Sequence, residues 1–72
     1  MKIVAQFEKN AREMIKVSLG SFKGRPICDV RCHFKTESGG WSPGVKGITF
    51  STKLLPEIIE SLKVAEQQLK GG

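Results

Sequence analysis

Ser21-Phe22-Lys23-Gly24-Arg25-Pro26-Ile27-Cys28-Asp29-Val30-Arg31 is the stretch on which the reading of this chain turns. Phe22 sits between polar residues, Lys23-Gly24-Arg25 makes a tight turn, and strict alternation follows. Ile27, Asp29 and Arg31 fall on one side of a strand, and Cys28, Val30 and Cys32 on the other. One apolar and one charged face suit an antiparallel sheet with one wet side. An aromatic beside two cations at a turn also suits nucleic acid, because rings stack on bases and Lys or Arg meets phosphate. A hairpin with a core Phe and solvated lysine fits the same residues.

Working outward, Arg12 to Leu19 alternates as well, with Ile15, Val17 and Leu19 as its better apolar face. Pro26 is tolerated near the start of the next strand, Arg25 to Lys35. Thr36-Glu37-Ser38-Gly39-Gly40 is a polar, glycine-rich hairpin tip. Trp41-Ser42 begins the return, Pro43-Gly44 interrupts it with a turn or bulge, and Lys46 to Phe50 forms a fourth strand. The expectation is a four-stranded antiparallel meander. Residues 1–11 form either a leading strand or an N-terminal arm, and residues 12–72 the binding domain proper. Phe7 and Phe50 read as core, and Lys46 is expected beside the turn that carries Phe22.

From Ser51 the period becomes helical, with Leu54, Leu55, Ile58, Ile59, Leu62, Ala65 and Leu69 recurring at three- and four-residue spacing. Pro56 would break a helix that began at Thr52, so either the first turn is loose or regular helix begins near Leu55. Gly71-Gly72 reads as the stop. The apolar stripe is too wide for one contact. It suits both the helix's own sheet and a second subunit, with Leu55, Ile58, Ile59 and Leu62 at the dimer interface.

The chain has 72 residues and a net charge of +5. That length supports only a modest core, and two cysteines do not make a disulfide scaffold, so oligomerisation is the expected source of further stability. The positive excess lies entirely in residues 1–50, with nine Lys/Arg against four acids, while residues 51–72 balance three against three. A basic sheet and a neutral helix favour polyanion binding by the sheet over a helix in a DNA groove. No apolar run approaches the length of a membrane span and no signal-peptide pattern follows Met1, so a soluble, unprocessed protein of a reducing compartment is expected.

Catalytic chemistry is thin. His33 is the single histidine, and no nucleophile–base–acid set declares itself. Cys28, Cys32 and His33 invite a metal, but a structural zinc wants about four ligands in paired clusters. On one strand the two cysteines lie roughly 13 Å apart, beyond the reach of a disulfide. Two small buried residues and an exposed histidine explain them as well. No cofactor, metal site or enzymatic activity is expected.

Val17-Ser18, Phe22-Lys23-Gly24, Asp29-Val30-Arg31 and Pro43-Gly44-Val45-Lys46-Gly47-Ile48, followed by a strand end and one long helix, together resemble a known family. It is the transcriptional coactivator family called positive cofactor four, in its C-terminal single-stranded-DNA-binding domain. The resemblance spans about Arg12 to Leu69, and Trp41 after the glycine-rich tip and Leu54-Leu55-Pro56-Glu57 look like the compact bacterial or phage branch. It implies an α+β fold, four curved antiparallel strands and one C-terminal helix, dimerising through the helices. It also implies grooves for single-stranded or melted DNA and a cytoplasmic, nucleoid-associated setting. Phe22 fits the family's stacking aromatic; Lys23, Arg25 and Lys46 fit its backbone-contacting cations, and Arg31 a groove-lining arginine. Two positions depart from the pattern. Phe34 replaces a tryptophan, so Trp41 is a second candidate for stacking, and Glu13 replaces a lysine, so Arg12 or Lys16 must supply that charge. The Ser- and acid-rich arm of eukaryotic members is absent, so its phosphorylation control does not carry over.

The leading expectation is therefore a non-enzymatic, homodimeric single-stranded-DNA-binding protein of transcription, replication, recombination or repair. Two alternatives remain: a transcription cofactor that binds a protein partner through its helix, and an RNA-binding chaperone, since stacking and phosphate contacts do not distinguish sugars.

Overall fold

The turn at Lys23-Gly24 sets the architecture. Both residues have positive φ, 52° and 77°, the two-residue hairpin geometry whose twist matches that of the flanking strands. Gly24 adopts it freely, whereas Lys23 is strained there. The computed structural model describes residues 1–71. The hairpin joins β2 (Glu13–Phe22) to β3 (Arg25–Lys35), in unbroken register from Phe22 opposite Arg25 to Glu13 opposite Phe34. β1 (Lys2–Asn10) flanks β2, and β4 (Trp41–Ser51) flanks β3, so the sheet is antiparallel in the order β1-β2-β3-β4.

The sheet has the expected four strands, but two of them differ from the expected set. Residues 2–10 are a full strand of the same sheet, paired along β2 with two irregularities in register. Trp41 to Ser51 is one strand, not two. The Pro43-Gly44 interruption is a bulge, seen as a register shift between the Arg31–Gly47 and His33–Pro43 pairs. Two glycines permit it: a Cβ on Gly44 would lie 2.9 Å from the Cys32 carbonyl oxygen, and one on Gly47 2.7 Å from that of Val30.

After β4 the Ser51 hydroxyl accepts from the Lys53 backbone N–H at 3.3 Å, capping a short 3₁₀ turn at Thr52–Leu54. The helix α1 then runs Leu55–Gly71. Pro56 thus falls in the first turn, where its missing N–H has no partner to lose. Gly71 is still helical, and Gly72 lies outside the described residues.

Few side chains are buried. Among the described residues only Ser18, Cys28, Asp29 and Cys32 are. The radius of gyration is 14.2 Å, against roughly 11 Å for a compact domain of this length. The expected packing of the helix on its own sheet is confined to its root. Leu55 and Ile58 are half-buried, whereas Leu54, Ile59, Leu62, Val64 and Leu69 are exposed. Phe7, expected in the core, is 58% exposed, and Phe50 is only half-buried, because among the described residues no helix packs along the length of their face of the sheet. Cys28 and Cys32 are free thiols on that face. By ladder parity His33 points to the other side, so the three do not converge on a metal.

Candidate nucleic-acid interface

Ladder parity sorts the candidate residues onto two faces. With Asp29 stand Lys16, Arg25, Arg31 and, by their pairing with Arg25 and Lys35, Phe22 and Trp41. With Cys32 stand Glu13 and Phe34, joined by Lys46 from the bulge of β4. Arg12 lies in the exposed turn between β1 and β2, where its carbonyl accepts from the Lys35 N–H at 2.9 Å. The turn is held by Asn10, whose side-chain oxygen accepts from the Arg12 N–H at 2.9 Å.

The Asp29 face is a closed hydrogen-bond network. Asp29 is 6% exposed and accepts from Thr49 Oγ1 at 2.6 Å and from Arg31 Nη2 at 3.0 Å and Nε at 3.2 and 3.3 Å. Arg31 Nη2 also reaches Thr49 Oγ1 at 3.3 Å, and Nη1 donates to the Gly44 and Val45 carbonyls at 3.1 and 3.4 Å. All three guanidinium nitrogens of Arg31 have acceptors within the protein. Arg31 was expected to line a groove and meet phosphate; in this structure its guanidinium is turned onto acceptors of the protein itself. It ties the bulge of β4 to β3 instead. Burial pushes the Asp29 carboxyl up, but its bonds to Arg31 and Thr49 and the Arg31 charge outweigh this and leave it below the usual range. Burial, with the neighbouring Lys16 charge, also holds His33 below its ordinary value.

The opposite face is open at its bulged end. A cleft of about 310 Å³ is lined by Glu13, Cys32, Phe34, Pro43, Gly44, Val45 and Lys46. Phe34 is 47% exposed. Its parity does point it to the apolar side, and it is open there because that end of the face is uncovered. Glu13 accepts from the Cys32 thiol at 3.0 Å and the Asn10 amide at 2.9 Å, and pairs with Lys9 at 3.6 Å. The thiol bond, the amide bond and the lysine charge, in that order, take the Glu13 carboxyl down to about 2. The same bond raises the Cys32 thiol. Sequence reasoning noticed Glu13 only as a missing lysine. The signal that places it was present, since a two-residue turn at 23–24 puts residue 13 opposite residue 34.

A second exposed ring lies at the other end of β3. Phe22 is 63% exposed, with the Lys23 ammonium 5.4 Å from its ring centre and Arg25 directly opposite. Nine residues of strand separate Arg25 from Phe34, roughly 30 Å. Lys46 therefore does not stand beside the Phe22 turn as expected: β4 runs antiparallel to β3, and its bulge lies near Arg31–His33, well short of that end. Each ring has its own free cation. Among the described residues Lys23, Arg25 and Lys46 make no ion pair.

The family model for Transcriptional Coactivator p15 (PC4) matches residues 9–61. No curated protein sequence matches the chain. Among solved structures, the orthorhombic crystal form of a PC4 homolog from Burkholderia pseudomallei is 31% identical, with a TM-score of 0.85 over 90% of this chain and 88% of that one. Its tetragonal form gives 31% identity and a TM-score of 0.84 over 90% and 96%. With its ordered motifs, its four-stranded sheet and its single C-terminal helix, the chain belongs to the Transcriptional Coactivator p15 (PC4) family.

Proposed function

We propose that the chain is a non-enzymatic single-stranded-DNA-binding protein, acting as a homodimer with a transcription-cofactor-like role in a bacterial or phage cytoplasm. The observation that carries this reading is a water-exposed phenyl ring beside a free cation, twice on one sheet: Phe22 with Lys23 and Arg25, and Phe34 with Lys46. Exposed rings stack on unpaired bases, which duplex DNA does not offer, at about 1 to 3 kcal/mol per base. The cations follow phosphates with little sequence preference. Arg12 and Lys16 add positive charge nearby, and Trp41, half-buried, is the weaker platform. Arg31 serves as the bolt that holds the bulge, and with it Lys46.

The homodimer has its own support. An apolar stripe of Ile59 and Leu62, continued by half-buried Leu55 and Ile58, is open to water beside an uncovered apolar sheet face. Covering both with a second copy supplies the burial that a single chain lacks.

The test is fluorescence anisotropy of a mixed-sequence oligonucleotide, single-stranded against duplex, over a salt series. Tight single-strand binding is expected, with log K falling against log salt at a slope of about −2 per subunit for three phosphate contacts. A slope near zero, or equal affinity for duplex, sinks the proposal. A matched RNA strand in the same series separates DNA from RNA preference.

A further inference from the structure

A carboxylate is out of place in a cleft proposed to meet phosphate, and Glu13 lines this one. It lies directly across the ladder from Phe34, on the same face, with Lys46 on the far wall. Side chains so paired have Cβ atoms about 5 Å apart, so a base stacked on the Phe34 ring brings its edge to the Glu13 carboxylate. With its carboxyl down at about 2, the group is anionic throughout the physiological range. It repels a phosphate and accepts only from donors.

We propose that this cleft is a base-reading pocket that prefers guanine in single-stranded DNA, with Phe34 as platform, Glu13 as reader and Lys46 on the adjoining phosphate. The inference rests on the single-strand binding reading above. Guanine is the base whose Watson–Crick edge carries two adjacent donors, N1–H and the 2-amino group, and these match the two oxygens of a carboxylate. Adenine and cytosine set one amino donor beside a ring-nitrogen acceptor. Thymine sets one N–H between two carbonyls, which face the carboxylate unfavourably. That edge is free only in a single strand, so the same contact also rejects duplex.

Two features of the cleft support a ligand there. The Glu13 oxygen that faces Cys32 is held by a thiol, a weak donor that a base N–H displaces. The floor is kept open at Gly44, where a Cβ would sit 3.7 Å from the Phe34 ring and 2.9 Å from the Cys32 carbonyl oxygen. Any side chain there would fill the space the base needs.

The experiment compares affinities for three oligomers of equal length: all thymidine, alternating thymidine–guanosine, and alternating thymidine–inosine. Inosine keeps the purine ring and N1–H but lacks the 2-amino group. The guanosine oligomer is expected to bind about tenfold tighter than oligothymidine, the size of one good bidentate base contact, with inosine between them. In Glu13→Gln the guanosine-to-thymidine ratio is expected to fall to about one. Equal binding of guanosine and inosine oligomers would mean that only stacking is at work and would overturn the pocket. So would a ratio near one in the wild-type protein, or a preference that survives Glu13→Gln; each of these leaves single-strand binding standing. Failure to bind any of the three oligomers overturns the binding reading itself. The inosine comparison uses only the wild-type protein, so it decides the matter even where the variant folds poorly.

Discussion

Arg31 and Lys46 are neighbours in space on adjacent strands, yet they differ in kind. Both are cations near the bulge of β4, one on each face. Arg31 is held by Asp29, Thr49 and two backbone carbonyls, with all three guanidinium nitrogens engaged. Lys46 reaches into an open cleft and makes no ion pair among the described residues. A cation whose donors are consumed is architecture; a cation with spare donors is available to a ligand. Their sequence context, each flanked by small and apolar residues in a strand, does not tell them apart.

The largest effect should come from breaking the closed side. Asp29→Ala leaves the Arg31 guanidinium without its main partner, and removing one member of a buried pair costs about 3 kcal/mol, read as a lower midpoint in urea. Arg31→Met should unseat the bulge as well as weaken the fold. In a double-mutant cycle with Lys46→Ala, its effect on DNA affinity should therefore be strongly non-additive. Additive losses would show that Arg31 meets phosphate independently.

Removing an exposed ring and a free cation should leave stability nearly untouched and reduce binding. Phe22→Ala with Lys46→Ala should cost about 2 kcal/mol or more of affinity, chiefly from lost stacking. Lys46→Ala alone should flatten the salt slope by about 0.7. If binding survives the double change while Leu62→Asp abolishes function, the helix is the working surface and a protein partner is indicated.

Acid should separate the faces more gently. The folded-state values of His33, Glu13 and Asp29 all lie below their ordinary ones. The unfolded chain therefore takes up protons first, and stability is lost as pH falls. The His33 contribution should fade as pH drops through and below 6.5, its ordinary value, and that of Glu13 between 4.5 and about 2. Thermal melts of Glu13→Gln should lack the second component. A flat profile from neutral pH to 3 would contradict these assignments. The smallest effect is expected at Lys23: replacing it with Asn, which tolerates positive φ better, should raise the melting midpoint by a degree or two, for a gain of well under about 1 kcal/mol.

Much of the fold was legible in the residues. The alternation on either side of Lys23-Gly24 sets the central hairpin and its register, and so the pairing of Glu13 with Phe34. Pro56 and the apolar spacing after it place the start of α1. Residues 2–10 were harder to assign, because an edge strand with breaks in register shows weak alternation. Trp41 to Ser51 divided in the reading because a bulge and a turn use the same Pro-Gly chemistry.

Strand parity and the period of the helix are local properties, set by backbone sterics and by where apolar side chains recur, so the order of residues was enough to determine them. Which cation is free, which acid is buried and which ring is open to a ligand depend on what arrives from a strand distant in sequence. Only the pairing of β4 alongside β3 decided those. It brings the Gly44 and Val45 carbonyls to Arg31 and Thr49 to Asp29, and holds Lys46 across the cleft from Glu13 and Phe34. A hydrogen bond needs its partner within about 3 Å, and placing the partner there is the work of the tertiary structure.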